Sequence, residues 1–142
     1  MRCEEIMKAN PECLTRQHTV QQAAERMRDL NIGFLPVCDG GAVLGVITDR
    51  DIAVRCVADG KGTNVKVDTV MSTQIVACRP EDDVRRAQQL MGQAQKSRLL
   101  VTDAQGKLLG VISLSDIAQQ VADSDDVART MREVTDRETR TQ

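Results

Sequence analysis

Residues 43–55 read VLGVITDRDIAVR and residues 108–120 read LLGVISLSDIAQQ. Seven of these 13 aligned positions are identical, and Thr48 opposite Ser113 is a conservative eighth. Upstream the match continues one residue out of step, pairing Met7 with Met71, Val20 with Val84, Ala23 with Ala87 and Met27 with Met91. Leu35 then pairs with Leu99, Val37 with Val101 and Asp39 with Asp103. The slip falls between Asp39-Gly40-Gly41 and Asp103-Ala104-Gln105-Gly106, where a surface turn absorbs an extra residue. The chain therefore reads as two copies of a unit of about 60 residues. We assign them to residues 1–62, including a linker near 58–62, and 63–123, followed by a polar, helical tail at 124–142 whose apolar residues Val127, Met131 and Val134, at i, i+4 and i+7, suit docking onto the body or a dimer mate.

Each copy carries the same series of signals. A short helical lead (Glu4 to Ala9; Val67 to Ser72) precedes a brief extended piece (Cys13 to Thr15; Ile75 to Cys78). A helix follows. In copy one it starts at Thr19 with Gln22 as capping-box partner and repeats its apolar residues at Val20, Ala23, Ala24, Met27 and Leu30. In copy two Asp83 is the expected N-cap, with Val84, Ala87, Leu90 and Met91 facing inward. Two hairpins come next, Phe34–Cys38 with Val43–Ile47 and Arg98–Thr102 with Leu108–Ile112, each around a Gly/Asp turn. A second helix opens at Thr48 or Ser113. The unit is β-α-β-β-α, too small to cover both faces of its sheet. The expected fold class is α+β, two pseudo-symmetric repeats packed sheet to sheet.

Composition narrows the function. The 142 residues include one aromatic, Phe34, and no Trp or Tyr, which disfavours base-stacking platforms and aromatic cages. A formal net charge of −2 argues against a phosphate-backbone reader, so nucleic acid is not an expected partner. No apolar run approaches a membrane span, and the first residues, MRCEEIMKANPEC, do not read as a targeting segment. The five cysteines are odd in number and form no CxxC, which points to reduced thiols and a cytoplasmic protein. No metal-ligand cluster or catalytic constellation is present, and the expectation is a protein without catalysis.

The chemistry-bearing feature is Thr48-Asp49-Arg50-Asp51 and its twin Ser113-Leu114-Ser115-Asp116. Each follows a Gly-Val-Ile strand end and opens a helix. A hydroxyl followed three residues later by an acid caps a helix. Asp is shorter than the usual Glu or Gln there and is expected to reach back less well, leaving its carboxylate for another duty. A carboxylate in this place suits the vicinal hydroxyls of a ribose, and free N–H groups at a helix start suit a phosphate.

The pattern Leu-Pro-Val-x-Asp … Gly-Val-Ile-Thr-x-x-Asp-Ile, repeated, resembles a tandem pair of CBS domains (a Bateman module) over about residues 1–122. It is similar to small, stand-alone bacterial CBS-pair proteins associated with stress and hypoxia. The resemblance implies an adenosine-containing ligand (AMP, ADP, ATP, NAD or S-adenosylmethionine) in clefts between the repeats. By motif position, ribose and phosphate roles fall on Thr48, Asp51, Ser113 and Asp116, with Arg98 on phosphate and Arg50 as a second phosphate contact. The adenine slot falls on Cys13, Ile75, Val76, Ala77, Leu35 and Leu99. The family implies a homodimer and an effector protein that reads the ligand state. Copy one departs from the pattern with Phe34 where copy two has Arg98, and copy two lacks the proline of Leu35-Pro36-Val37. These departures favour AMP or a dinucleotide over two equal polyphosphate sites. Two other classes stay open: a ligand-free interaction scaffold in which the turns only cap helices, and a thiol redox sensor using Cys13, Cys38 or Cys78.

Overall fold

In the computed structural model, which describes residues 1–120 and 124–140, the elements run as follows. They are α1 (Cys3–Ile6), β1 (Lys8–Ala9), α2 (Val20–Leu30), β2 (Phe34–Asp39) and β3 (Ala42–Thr48). Then come α3 (Asp49–Asp51), continued by a π-helical stretch (Ile52–Val57), and a 3-10 turn (Val67–Thr69). The second half contains β4 (Ala77–Cys78), α4 (Val84–Ala94), β5 (Arg98–Thr102), β6 (Leu108–Ser113), α5 (Leu114–Gln120) and α6 (Ser124–Arg140).

The compact units cut across the sequence repeats. A central unit is continuous, Glu12–Ile75, whereas a terminal unit joins Met1–Pro11 to Val76–Gln142. Each repeat lends its lead to the hairpin of the other. In the terminal unit the sheet order is β1-β6-β5-β4, with β1 antiparallel to β6 and β4 parallel to β5. In the central unit β2 and β3 form the hairpin, Leu14 bridges Val37 in parallel and Ser72 bridges Val46 antiparallel. The same four-strand order is thus built twice, once as full strands and once with single bridges at its edges.

The local signals explain the elements. Thr19 accepts the Gln22 N–H at 3.2 Å while the Gln22 side chain accepts the Thr19 N–H at 2.9 Å, the reciprocal cap that starts α2. Asp83 accepts the Arg85 N–H at 2.9 Å at the start of α4. Both helices end on a left-handed residue, Asn31 and Gln95. Inward faces of helix and hairpin then fill separate cores. Leu14, Val20, Ala23, Leu35, Val37 and Ile47 are buried in the central one. Ala87, Met91, Leu99, Val101, Ile112 and Ile117 are buried in the terminal one.

Two expectations change. The helix expected from Thr48 turns π-helical after one turn, as the Ala58 N–H to Ala53 carbonyl bond of 2.9 Å shows. The tail helix does not dock through Met131, which is 50% exposed. Val134 of that face is buried, and Thr130, four residues before it, is buried with it. Adjacent helical residues point about 100° apart, so a buried line through 130 and 134 turns Met131 outward. The side chain of Val127, the third residue of that expected face, lies outside the described residues.

Glycine makes the exchanged leads possible. A Cβ on Gly45 would stand 2.5 Å from the Ser72 carbonyl oxygen, and one on Gly110 would stand 2.9 Å from that of Lys8. Met71 and Met7 fill the rest of the space in the two units. The sequence places this glycine before the Val-Ile of each hairpin because the lead crosses the strand there. Gly45→Ala and Gly110→Ala should each destabilise the protein by about 1–3 kcal/mol through overpacking against backbone. Urea unfolding checks this, and an unchanged midpoint would mean that the leads do not cross at these residues.

Candidate functional site

The two turns singled out in the sequence have the same geometry. In the central unit the Thr48 N–H donates to Asp51 Oδ2 at 3.0 Å, and the Asp51 N–H donates to Thr48 Oγ1 at 3.1 Å. In the terminal unit the Ser113 N–H donates to Asp116 Oδ2 at 3.0 Å, and the Asp116 N–H donates to Ser113 Oγ at 3.0 Å. Ser115 Oγ lies 3.1 Å from Ser113 Oγ. The expectation that Asp reaches back poorly is therefore corrected. A strand residue at the N-cap brings its N–H close enough for the shorter side chain to close both bonds. Only one oxygen of each carboxylate is used this way. Oδ1 of Asp51 lies 4.0 Å from Arg55 Nε, and Oδ1 of Asp116 has no partner among the described residues. All four capping residues are partly exposed.

The hairpin register adds the next layer. Arg98 stands directly opposite Ser113, and Phe34 directly opposite Thr48. Cross-strand partners share a face, so a guanidinium accompanies the hydroxyl in one unit and a ring in the other. Arg98 and Arg50 are both exposed, and neither side chain is in an ion pair among the described residues. Of the expected adenine-slot residues, Cys13, Val76 and Ala77 are half-buried and Ile75 is exposed. The Val76 carbonyl accepts the Leu100 N–H at 3.2 Å, extending the edge of β4.

Leu35 and Leu99 do not line an open slot. They are 0% and 1% exposed, inside the two cores. The period of two along a strand decides this: Arg98 and Leu99 point to opposite faces of the sheet, and only one of those faces carries the hydroxyl. Sequence reasoning missed Arg55. It is four residues after Asp51, and its Nη1 donates to the carbonyls of Val70 and Met71 at 3.4 and 3.2 Å. That Asp-to-Arg spacing was visible as a helix-surface pair.

The sequence pattern of the CBS domain matches residues 3–57 and again residues 67–123. The chain belongs to the CBS domain family. Over 100 residues it is 42% identical to the CBS domain-containing protein YhcV of Bacillus subtilis (strain 168), spanning 70% of this chain and 71% of that protein. Hypoxic response protein 1 of Mycobacterium tuberculosis (strain ATCC 25618 / H37Rv) is 29% identical over 119 residues, 82% of each chain. The crystal structure of Hypoxic Response Protein I with two coordinated zinc ions matches with a TM-score of 0.78 at 27% identity, covering 85% of this chain and 99% of that one. Among the described residues of this CBS pair, no group of three or more His, Cys, Asp and Glu side chains is placed to hold a metal ion. The CBS domain pair of protein MJ0100, in complex with 5′-methylthioadenosine and S-adenosyl-L-methionine, matches with a TM-score of 0.73 at 23% identity. It covers 84% of this chain and 94% of that one, and the likeness establishes the shared fold.

The reciprocal caps have a measurable worth without any ligand. Thr48→Ala and Ser113→Ala should each lower stability by about 1 kcal/mol, the usual cost of removing a hydroxyl N-cap. Denaturant titration of the ligand-free protein reads this, and a change within error would show that the hydroxyls do not cap their helices in solution.

Proposed function

We propose that the protein is a non-catalytic regulatory module that binds an adenosine-containing ligand and passes its ligand state to an effector protein. The observation that carries this reading is the duplicated hydroxyl–carboxylate turn, in which capping occupies one carboxylate oxygen and leaves a second acceptor on the same group. Two carboxylate-accepted bonds from vicinal hydroxyls suit a ribose, and each charge-assisted bond contributes about 1.5–3 kcal/mol. A CBS pair of the same fold holding 5′-methylthioadenosine and S-adenosyl-L-methionine supports the ligand class. AMP or NAD is the ligand that the departures in the sequence favour. Arg98 beside Ser113 supplies the cation for a phosphate, and Phe34 beside Thr48 does not. Arg50, exposed on the first turn of α3, is the second phosphate contact.

Regulation follows from linkage. The ligand shifts the conformational balance by no more than its difference in affinity for the alternative states. The effector reads that shift. We assign the protein to the cytoplasm, whose reducing poise suits five cysteines that are unlinked at rest. No described helix is long and apolar enough to cross a membrane.

The reading also includes a homodimer. In the central unit Leu30, Val54 and Val57 are 48%, 47% and 69% exposed, on α2 and on the π-helical stretch packed beside it. In the terminal unit α6 packs on both α4 and α5. The bare apolar face of the central helices suits a second copy of the chain. Val57→Glu should shift the protein toward monomer in analytical ultracentrifugation, with its circular dichroism unchanged. Sedimentation as the same species as the parent would remove this face from the dimer.

Calorimetry tests the ligand. AMP should bind, guanine nucleotides should bind less well, and Asp116→Asn should weaken AMP by roughly 10–100 fold. Asn keeps the oxygen that accepts the Ser113 N–H, so the cap survives while the second acceptor becomes a donor. Arg98→Ala should weaken AMP and leave adenosine unchanged. AMP affinity that is the same in the parent and in Asp116→Asn would overturn the site, and absence of binding across the panel would leave the scaffold reading.

A further inference from the structure

Each unit brings two thiols into contact. In the central unit the Cys38 thiol donates to Cys13 Sγ at 3.6 Å. In the terminal unit the Cys78 thiol donates to Cys3 Sγ at 3.6 Å, and the Cys3 thiol in turn donates to the Asp83 carbonyl oxygen at 3.8 Å. Backbone bonds hold both pairs in place. The Cys38 N–H donates to the Leu14 carbonyl at 2.8 Å, one residue from Cys13. The Cys3 N–H donates to the Asp82 carbonyl at 2.9 Å, and the Glu4 N–H donates to Pro80 at 3.0 Å, just past Cys78. The fifth cysteine, Cys56, is turned to the carbonyls of Lys61 and Gly62. None of the five is in a disulfide.

The two sulfurs of a pair are not equivalent. The thiol bond from Cys78 holds Cys3 below the ordinary thiol range, while the same bond and burial push Cys78 above it. Burial, then the bond to Cys13, pushes Cys38 up to about 12. In each pair one sulfur is held as a thiol and donates to the other. A lowered thiol pKa marks Cys3 as the nucleophile of the terminal pair, and exposure marks Cys13 as that of the central pair. Cys13, the acceptor of the central pair, is partly exposed, whereas Cys3 and Cys78 are 0% and 3% exposed.

We propose that Cys13–Cys38 and Cys3–Cys78 are two redox-active dithiols, one in each unit, that a hydroperoxide converts into disulfides. The accepting sulfur attacks the terminal oxygen of the hydroperoxide. The O–O bond breaks, an alcohol (or water, from hydrogen peroxide) leaves, and a sulfenic acid remains. The donating thiol attacks the sulfenic sulfur, the S–S bond forms, and hydroxide leaves with the thiol proton as water. Two thiols are oxidised by two electrons, and one peroxide is reduced. The consequences differ between pairs. Cys13 and Cys38 are 25 residues apart, both within the continuous unit. Cys3 and Cys78 are 75 residues apart and lie on the two chain segments that make up the terminal unit. Their disulfide fastens those segments covalently and so restricts the unfolded chain more.

The test treats the reduced full chain with hydrogen peroxide, stops samples with N-ethylmaleimide in denaturant, and maps linkages by mass spectrometry of non-reduced digests. The Cys13–Cys38 linkage should form first and Cys3–Cys78 later, with Cys56 alkylated throughout. The second linkage should raise the melting temperature by roughly 5–10 °C, reversibly with dithiothreitol. In Cys38→Ser, Cys13 should stop at a sulfenic acid trapped by dimedone, and Cys3–Cys78 should still form. The proposal is overturned by all five thiols remaining alkylated, by linkages between other cysteines, or by Cys13 passing to sulfinic acid without a crosslink in the parent.

Discussion

One backbone N–H in each unit, on Thr48 and on Ser113, governs where the candidate carboxylates stand. It takes Oδ2 of the aspartate three residues ahead, and the hydroxyl of the same residue takes the aspartate N–H in return. The aspartate side chain is then tied at both ends and has little rotamer freedom left to lose. A group fixed in this way meets a ligand without the ordering cost of a free surface carboxylate. Under the proposed reading, capping and binding are therefore complementary duties. The first uses one oxygen and orients the second.

That turn depends in its turn on the strand before it, and the strand depends on a lead that comes from the other repeat. Ser72 crosses β3 at Val46 and Lys8 crosses β6 at Val111, each against a glycine that leaves room for a carbonyl. In the central unit Arg55 fastens the same lead by two carbonyl bonds, while its guanidinium stands 4.0 Å from Asp51. A side chain absent from the sequence expectations thus connects the lead to the candidate site. The terminal unit has Gln120 at the matching place in the repeat and relies on full strand pairing of β1 instead.

Much of this was legible in the sequence because the signals were local. Thr19 and Asp83 cap as their spacing indicates, and the hairpins keep their register because a slip of one residue would turn Leu35 and Leu99 out of the cores. What was not legible was non-local. Nothing in Glu4 to Ala9 states that its strand partner lies about a hundred residues ahead, since pairing energy does not depend on sequence distance once the loop is closed. Motif position points Leu35 and Leu99 to a ligand slot, but it does not say which face of the pleat a residue takes. Asp51 and Asp116 were judged too short because the position of the N-cap N–H, set by the incoming strand, cannot be read from residue type.

The two copies have diverged unevenly, and the pattern of divergence bears on function. Leu35 and Leu99, Val37 and Val101, and Ile47 and Ile112 are identical and buried in both units. The turn positions differ: Phe34 faces Arg98 in the alignment, Asp49 faces Leu114, and Arg50 faces Ser115. Fold stability constrains the first set, since core volume changes are costly. It does not explain the second set, where a cation at Arg98 and an added carboxylate at Asp49 change charge beside an otherwise duplicated cap. Under the proposed reading these exchanges separate the ligands of the two turns. The Arg98 turn accommodates a phosphate directly, and the Phe34 turn offers an apolar ring and a second carboxylate. A duplicated scaffold with unequal turns can register two ligands, or two parts of one, and equal affinity at both turns is the outcome its residues least support.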